Sequence, residues 1–147
     1  MSVGVRPLEP EERAEWEPRW QAYLAFYKTE LPPEVTDNTW ARLHDPAEPL
    51  FVLGAHIDGK LVGIAHYLFH RTNWSTSDVC YLQDLFVDSE ARGHGIGRAL
   101  IDAVADKARE AGASRLYWMT HETNDPARAL YDKLAERSGF IQYRKPL

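Results

Sequence analysis

From residue 88 to residue 98 the chain reads DSEARGHGIGR, so Gly93, Gly95 and Gly97 alternate with His94 and Ile96 between Arg92 and Arg98. Glycine reaches positive φ and leaves no Cβ in the path of an approaching ligand. Where such a turn opens a helix, unpaired N–H groups and the positive end of the helix dipole face it, and the result is an anion site. Two common phosphate readers do not fit these residues. A Walker loop needs Gly-Lys followed by Ser or Thr, whereas Gly97 precedes Arg98 and Ala99. A dinucleotide fingerprint needs G-x-G-x-x-G in an early strand–helix unit, whereas the glycines here run G-x-G-x-G in the second half of the chain.

The neighbouring elements must hold that turn in place. Residues 80–87 (CYLQDLFV) form a strand-like run before it. After it, Ile96, Leu100, Ala103, Val104 and Ala108 recur at helical spacing, and Gly112 is the expected C-terminal cap. Upstream, residues 50–57 and 60–71 read as two strands joined by Asp58-Gly59, a two-residue hairpin signal. Residues 2–7 suit a short first strand, and Pro10 suits a first helical position with Glu11 and Glu12 in the first turn. Trp16, Trp20, Tyr23 and Tyr27 then share one helical face. Pro18 interrupts that face and predicts a kink or two short helices. A second helix is expected over residues 34–43. Downstream come a strand over 115–120, a helix over 125–137 and a last short strand over 140–143. These elements predict one α/β domain over residues 1–147, a mixed, mostly antiparallel sheet with helices on it.

A second motif lies some thirty residues beyond the glycine turn: Thr123-Asn124-Asp125-Pro126-Ala127-Arg128-Ala129-Leu130-Tyr131, with Ser138-Gly139-Phe140 after it. Alone, Asn124 before an alanine-rich helix is a good N-cap. In this order, Arg92, Gly95 and Gly97 resemble the Q/R-x-x-G-x-G/A loop of the GNAT superfamily of acyl-CoA-dependent N-acetyltransferases. The later segment resembles that family's N-x-x-A-x-x-L-Y, and Ser138-Gly139-Phe140 its closing s-G-F. The resemblance covers about residues 50–143. The segments YLQDLFVD and WMTHETN further resemble a subgroup with histone, polyamine and D-amino-acid acetylation.

The resemblance implies a fold whose central sheet splays at its middle strands and takes acetyl-CoA as co-substrate, with no metal. Backbone amides of Arg92, Gly93, His94, Gly95, Ile96, Gly97 and Arg98 would bind the pyrophosphate. Backbone groups of Leu85, Phe86 and Val87 would align the pantetheine arm, and Asn124 and Ala127 would flank it. Tyr131 matches the tyrosine placed near the thioester sulfur. A phenol with pKa near 10 stays protonated at neutral pH and can donate a proton as thiolate leaves. Many family members carry a glutamate where this chain has Gln83, and glutamine accepts no proton. Freeing a lysine-like amine at pH 7 costs about 4.6 kcal/mol, and an α-amino group only about 1.4 kcal/mol. Two routes therefore stay open: an acceptor of lower amine pKa, with Gln83 ordering water, or another base drawn from Asp84, Glu122 and His121. Strand alternation points Asp84 away from the face of Gln83. In this fold the first helices wall the acceptor pocket, which makes Tyr27, Glu30 and Trp40, with Glu122, the substrate-side candidates. A non-catalytic acyl-CoA sensor on the same fold is the alternative reading.

Other signals are weaker. His66 and His70 share a strand face about 13 Å apart, too far to chelate one metal. Cys80, the only cysteine, sits in an apolar run and reads as core rather than as an acyl carrier, and it permits no internal disulfide. A net charge of −5 disfavours a nucleic-acid partner and suits a cationic small molecule or basic peptide. No apolar run approaches membrane-spanning length, so a cytoplasmic location is expected. The edge over residues 140–143 is a candidate for pairing between subunits, and a homodimer is expected.

Overall fold

A computed structural model describes residues 2–147. Five strands pair in the order β1-β2-β3-β4-β5: β1 (Gly4–Pro7), β2 (Leu50–Ile57), β3 (Lys60–His70), β4 (Val79–Val87) and β5 (Leu116–Tyr117). The first three junctions are antiparallel and the last is parallel. Asp58 and Gly59 both adopt positive φ, at 51° and 78°, which closes the β2–β3 hairpin as the Asp-Gly pair predicts.

Helices cover both faces. α1 (Arg13–Phe26) follows a short 3-10 turn at Pro10–Glu12, and α2 (Pro33–Leu43) packs beside it. Trp16, Trp20, Leu24 and Trp40 from these helices are buried against Val52, Leu61 and Ile64. Trp16 is fully enclosed, and truncating it to Ala would cost about 3–5 kcal/mol. Pro18 lies inside α1 without dividing it: the helix runs through as one piece, not as two short ones. On the other face, α3 (Ile96–Glu110) buries Ile96, Leu100, Ile101 and Val104 against Leu53, Ala65, Cys80 and Leu82. Its chain leaves through Gly112 at φ 75°. No helix among the described residues is long and apolar enough to cross a membrane.

The C-terminal third differs from the pattern read in the sequence: the strand expected over 115–120 is confined to Leu116–Tyr117. α4 (Asp125–Leu134) stops three residues early, and residues 135–147 form neither helix nor strand. The expected last strand at 140–143 is therefore unpaired, and the sheet ends at β5. The sheet parts at the β4–β5 junction. β4 and β5 pair only through Cys80 with Leu116 and Tyr81 with Tyr117, after which β4 continues to Val87 paired with β3 alone.

Candidate active site

The register of β3 against β4 determines what the site contains. His66 opposes Asp84 and Tyr67 opposes Leu82, which leaves Gln83 as an extra residue without a partner. A bulge of this kind re-aims the side chains that follow it. Gln83 is exposed at the bulge, while Asp84 turns toward α1. Unbroken alternation would have sent Asp84 to the α3 face, so the bulge brings it to the face that the first helices cover.

Around Asp84 a polar network crosses the otherwise apolar face. The Trp16 indole N–H donates to His66 Nε2 at 2.9 Å. An indole can only donate, so the hydrogen of the His66 ring sits on Nδ1, 3.0 Å from Asp84 Oδ2. Burial, first of all, and the nearby Asp84 carboxylate push the Tyr23 phenol above its ordinary pKa. In the sequence His66 is marked only by its strand face and Tyr23 only by its helical face. Their link to Asp84 depends on strand register and helix docking, which no local pattern reports.

Tyr23 also lines a narrow cleft together with Tyr27, Leu82, Gln83, Leu85, Trp118, Met119 and Tyr131. The cleft opens where β4 and β5 part. Tyr131 reaches it from α4, held edge-on to Trp118 with ring centroids 5.5 Å apart. Burial raises the Tyr131 pKa above that of a free phenol, and the neighbouring Tyr27 adds to the effect. The group is therefore held in the form that can donate a proton. His121 lies beside Tyr27, with ring centroids 5.6 Å apart.

The glycine turn stands at the other end of β4. A 3-10 turn at Ser89–Ala91 leads into it, and Gly93 and Gly95 take φ of 86° and 76°. Gly95 is the N-cap of α3, and no side chain caps that helix. Its first amides thus face outward. A Cβ at Gly93 or Gly95 would meet nothing within 4 Å, so the backbone there is open to a ligand. An uncapped helix start beside a bare backbone fits a pyrophosphate. Arg92 bonds the carbonyl of Val87 at 3.3 Å, and Arg98 is exposed beside Asp102. The Asn124 side chain is turned to its own helix, accepting from Ala127 N–H at 3.4 Å. Arg19 bonds Asp88 at 2.9 Å and ties α1 to the end of β4 just before the turn.

The substrate-side candidates separate. Tyr27 lines the cleft. Trp40 does not: it is 7% exposed, its indole N–H donates to the Pro10 carbonyl at 3.2 Å, and its ring packs on Trp16 and His44. Glu30 lies in a separate, shallow crevice with Gln21, Ala25, Lys28 and Thr29, so it does not share the space of Tyr131. Glu122 is exposed in the loop before α4, and its carbonyl accepts from Arg128. Cys80 is enclosed, and burial pushes its thiol up to about 11, which suits a core residue. Among the described residues no three His, Cys, Asp or Glu side chains gather as a metal site.

Comparison with known proteins gives the family of the chain. The model of the acetyltransferase (GNAT) family matches residues 8–135. The chain is 38% identical over 145 residues to the D-amino-acid N-acetyltransferase HPA3 of Saccharomyces cerevisiae, covering 97% of this chain and 90% of that protein. Its fold matches the crystal structure of the ribosomal-protein-alanine N-acetyltransferase of Brucella melitensis biovar Abortus 2308. That match has a TM-score of 0.83 at 26% identity over 100% of both chains. It also matches AAC(6')-Iy in complex with the bisubstrate analogue CoA-S-monomethyl-acetylneamine, with a TM-score of 0.84 at 20% identity over 100% of both chains. This chain belongs to the GNAT acetyltransferase family and is an acetyl-transferring enzyme.

Proposed function

We propose that the protein moves the acetyl group of acetyl-CoA to a primary amine by direct attack. The acceptor class spans small amines, amino acids, polyamines and basic peptides, and within it we favour an α-amino acid. The observation that carries this reading is the cleft at the β4–β5 opening, where Tyr131 faces Tyr27 and Gln83 with the glycine turn at the far end of β4. In this reading the α3 amides hold the pyrophosphate and the free edge of Leu85, Phe86 and Val87 holds the pantetheine arm. The amine enters beside Tyr23 and Tyr27. Asp84, oriented by His66 and Tyr23, receives the amine proton through water, and the Tyr131 hydroxyl protonates the departing thiolate.

Two considerations support an α-amino acceptor. Gln83 supplies no base, and an α-amino group needs only about 1.4 kcal/mol to shed its proton at pH 7, against about 4.6 kcal/mol for a lysine-like amine. The similarity to a D-amino-acid N-acetyltransferase points the same way. Thiol release from acetyl-CoA, followed with D- and L-amino acids, polyamines and basic peptides, tests the choice. Amino acids should give the highest kcat/KM. An essential apparent pKa above 9 with a lysine-type acceptor as the best substrate would contradict it.

A further inference from the structure

Asp88 and Glu90 stand directly before a turn whose bare amides suit an anion, and a carboxylate there opposes such a ligand. Glu90 is exposed, so water and salt screen it. Asp88 has no such screen: its side chain is 12% exposed, at the end of β4. The turn curls back over that end. The Ala91 N–H donates to the Asp88 carbonyl at 3.0 Å, and Arg92 Nε donates to the Val87 carbonyl at 3.3 Å. Asp88 is the N-cap residue of the Ser89–Ala91 turn, yet its carboxylate caps nothing. That carboxylate instead takes a bond from Arg19 of α1, whose side chain is 16% exposed. In every other arginine–carboxylate pair among the described residues, at least one side chain is more than a third exposed.

We propose that Arg19 serves the cofactor site from the acceptor-side helix: it cancels the charge of Asp88 and so lets the glycine turn accept the CoA pyrophosphate. Stability alone does not account for the pair. Enclosed ion pairs contribute little, because both charges lose their water, and Arg19 Nε is buried with no partner among the described residues. Arg19 makes no contact with the turn itself in this account; it acts through Asp88, which makes it a positioning residue. It also lies one helical turn before Tyr23 on α1. The helix that walls the amine side of the cleft thus sets the charge on the cofactor side.

Calorimetric titration of CoA into the parent and three variants tests this. Asp88→Asn should bind CoA about tenfold more tightly than the parent, and Arg19→Met about tenfold more weakly, the order of one uncancelled charge near a protein surface. The double substitution should return to within about threefold of the parent. A role confined to holding the fold would weaken binding in both single variants, and that result overturns the proposal, as does parent-like binding in either one. The gain in Asp88→Asn cannot arise from a damaged fold, so it decides the matter even where Arg19→Met is unstable. The proposal rests on the reading that the turn holds the CoA pyrophosphate. A parent chain that binds no CoA would overturn both together; a parent that binds CoA, with Asp88→Asn no tighter, overturns this proposal alone.

Discussion

His66 Nδ1 stands 3.0 Å from Asp84 Oδ2, and the opposite ring nitrogen is occupied by the Trp16 indole. The imidazole is thus gripped at both ends, and the carboxylate takes its direction from a ring that cannot turn. A β-bulge at Gln83 puts that carboxylate on the α1 side of the sheet, within reach of Tyr23 at the cleft wall.

If Asp84 receives the amine proton, Asp84→Asn should lower kcat/KM by about 10²- to 10⁴-fold, the usual worth of a positioned base. The Kd for acetyl-CoA should hold, because Asp84 faces α1 and not the glycine turn. Steady-state rates alongside calorimetric titration of acetyl-CoA measure both. Activity close to that of the parent chain would place the base elsewhere, with His121 and Glu122 next in line.

The glycines of the turn are not equivalent. Gly95 holds φ at 76° in open space, so Gly95→Ala costs backbone strain alone, about 1–2 kcal/mol, and re-aims the start of α3. Gly97 lies inside the helix, where an added Cβ meets Leu130 Cδ2 at an ordinary 3.5 Å. Gly97→Ala should be neutral or stabilise by up to about 1 kcal/mol through helix propensity. Thermal unfolding with and without CoA should show a lower Tm and a smaller CoA-induced shift for the first variant only.

Glu12 clamps the first strand to the first helical turn. Its carboxylate takes two bonds from the Arg6 guanidinium, at 2.7 and 2.9 Å, and one from the Glu9 N–H at 2.7 Å. The Arg6 bonds, first of all, hold its pKa down to about 2. A carboxylate with a depressed pKa adds stability above its unfolded value, near 4.3, and loses it as pH falls through about 2. The pair is partly exposed, so its worth at pH 7 is under about 1 kcal/mol. Denaturant unfolding of Glu12→Gln should show that small deficit at pH 7, narrowing below pH 4 and gone near pH 2. A deficit that grows on acidification would contradict the assignment.

Local signals carried much of the architecture. Asp58-Gly59 marked the hairpin, and the Ile96-to-Ala108 spacing marked α3, because turn chemistry and amphipathic period are written within a few residues. The glycine turn before α3 was legible for the same reason, while Tyr131 was picked out only by the resemblance of its N-x-x-A-x-x-L-Y segment to a family motif. The face that Asp84 takes was not, since a bulge appears only when Gln83 fails to find a partner on β3. Trp40 has the look of an acceptor-pocket wall on the sequence, yet it packs as core, because helix docking decides which side of α2 faces inward. The segment at 140–143 has the composition of a strand and no strand beside it in this chain. Pairing partners are tertiary or quaternary facts, and residue type does not name them.

The role of Tyr131 bears the central claim, and thiol release by the parent enzyme and by Tyr131→Phe tests it most directly. With both substrates saturating, Tyr131→Phe should lose about 10²- to 10⁴-fold in kcat while its Kd for acetyl-CoA stays that of the parent. Because burial raises the phenol's pKa, the parent's rate should fall only above pH 10, and that limb should vanish in the variant. Unchanged turnover in Tyr131→Phe, with the alkaline limb still present, would contradict the account.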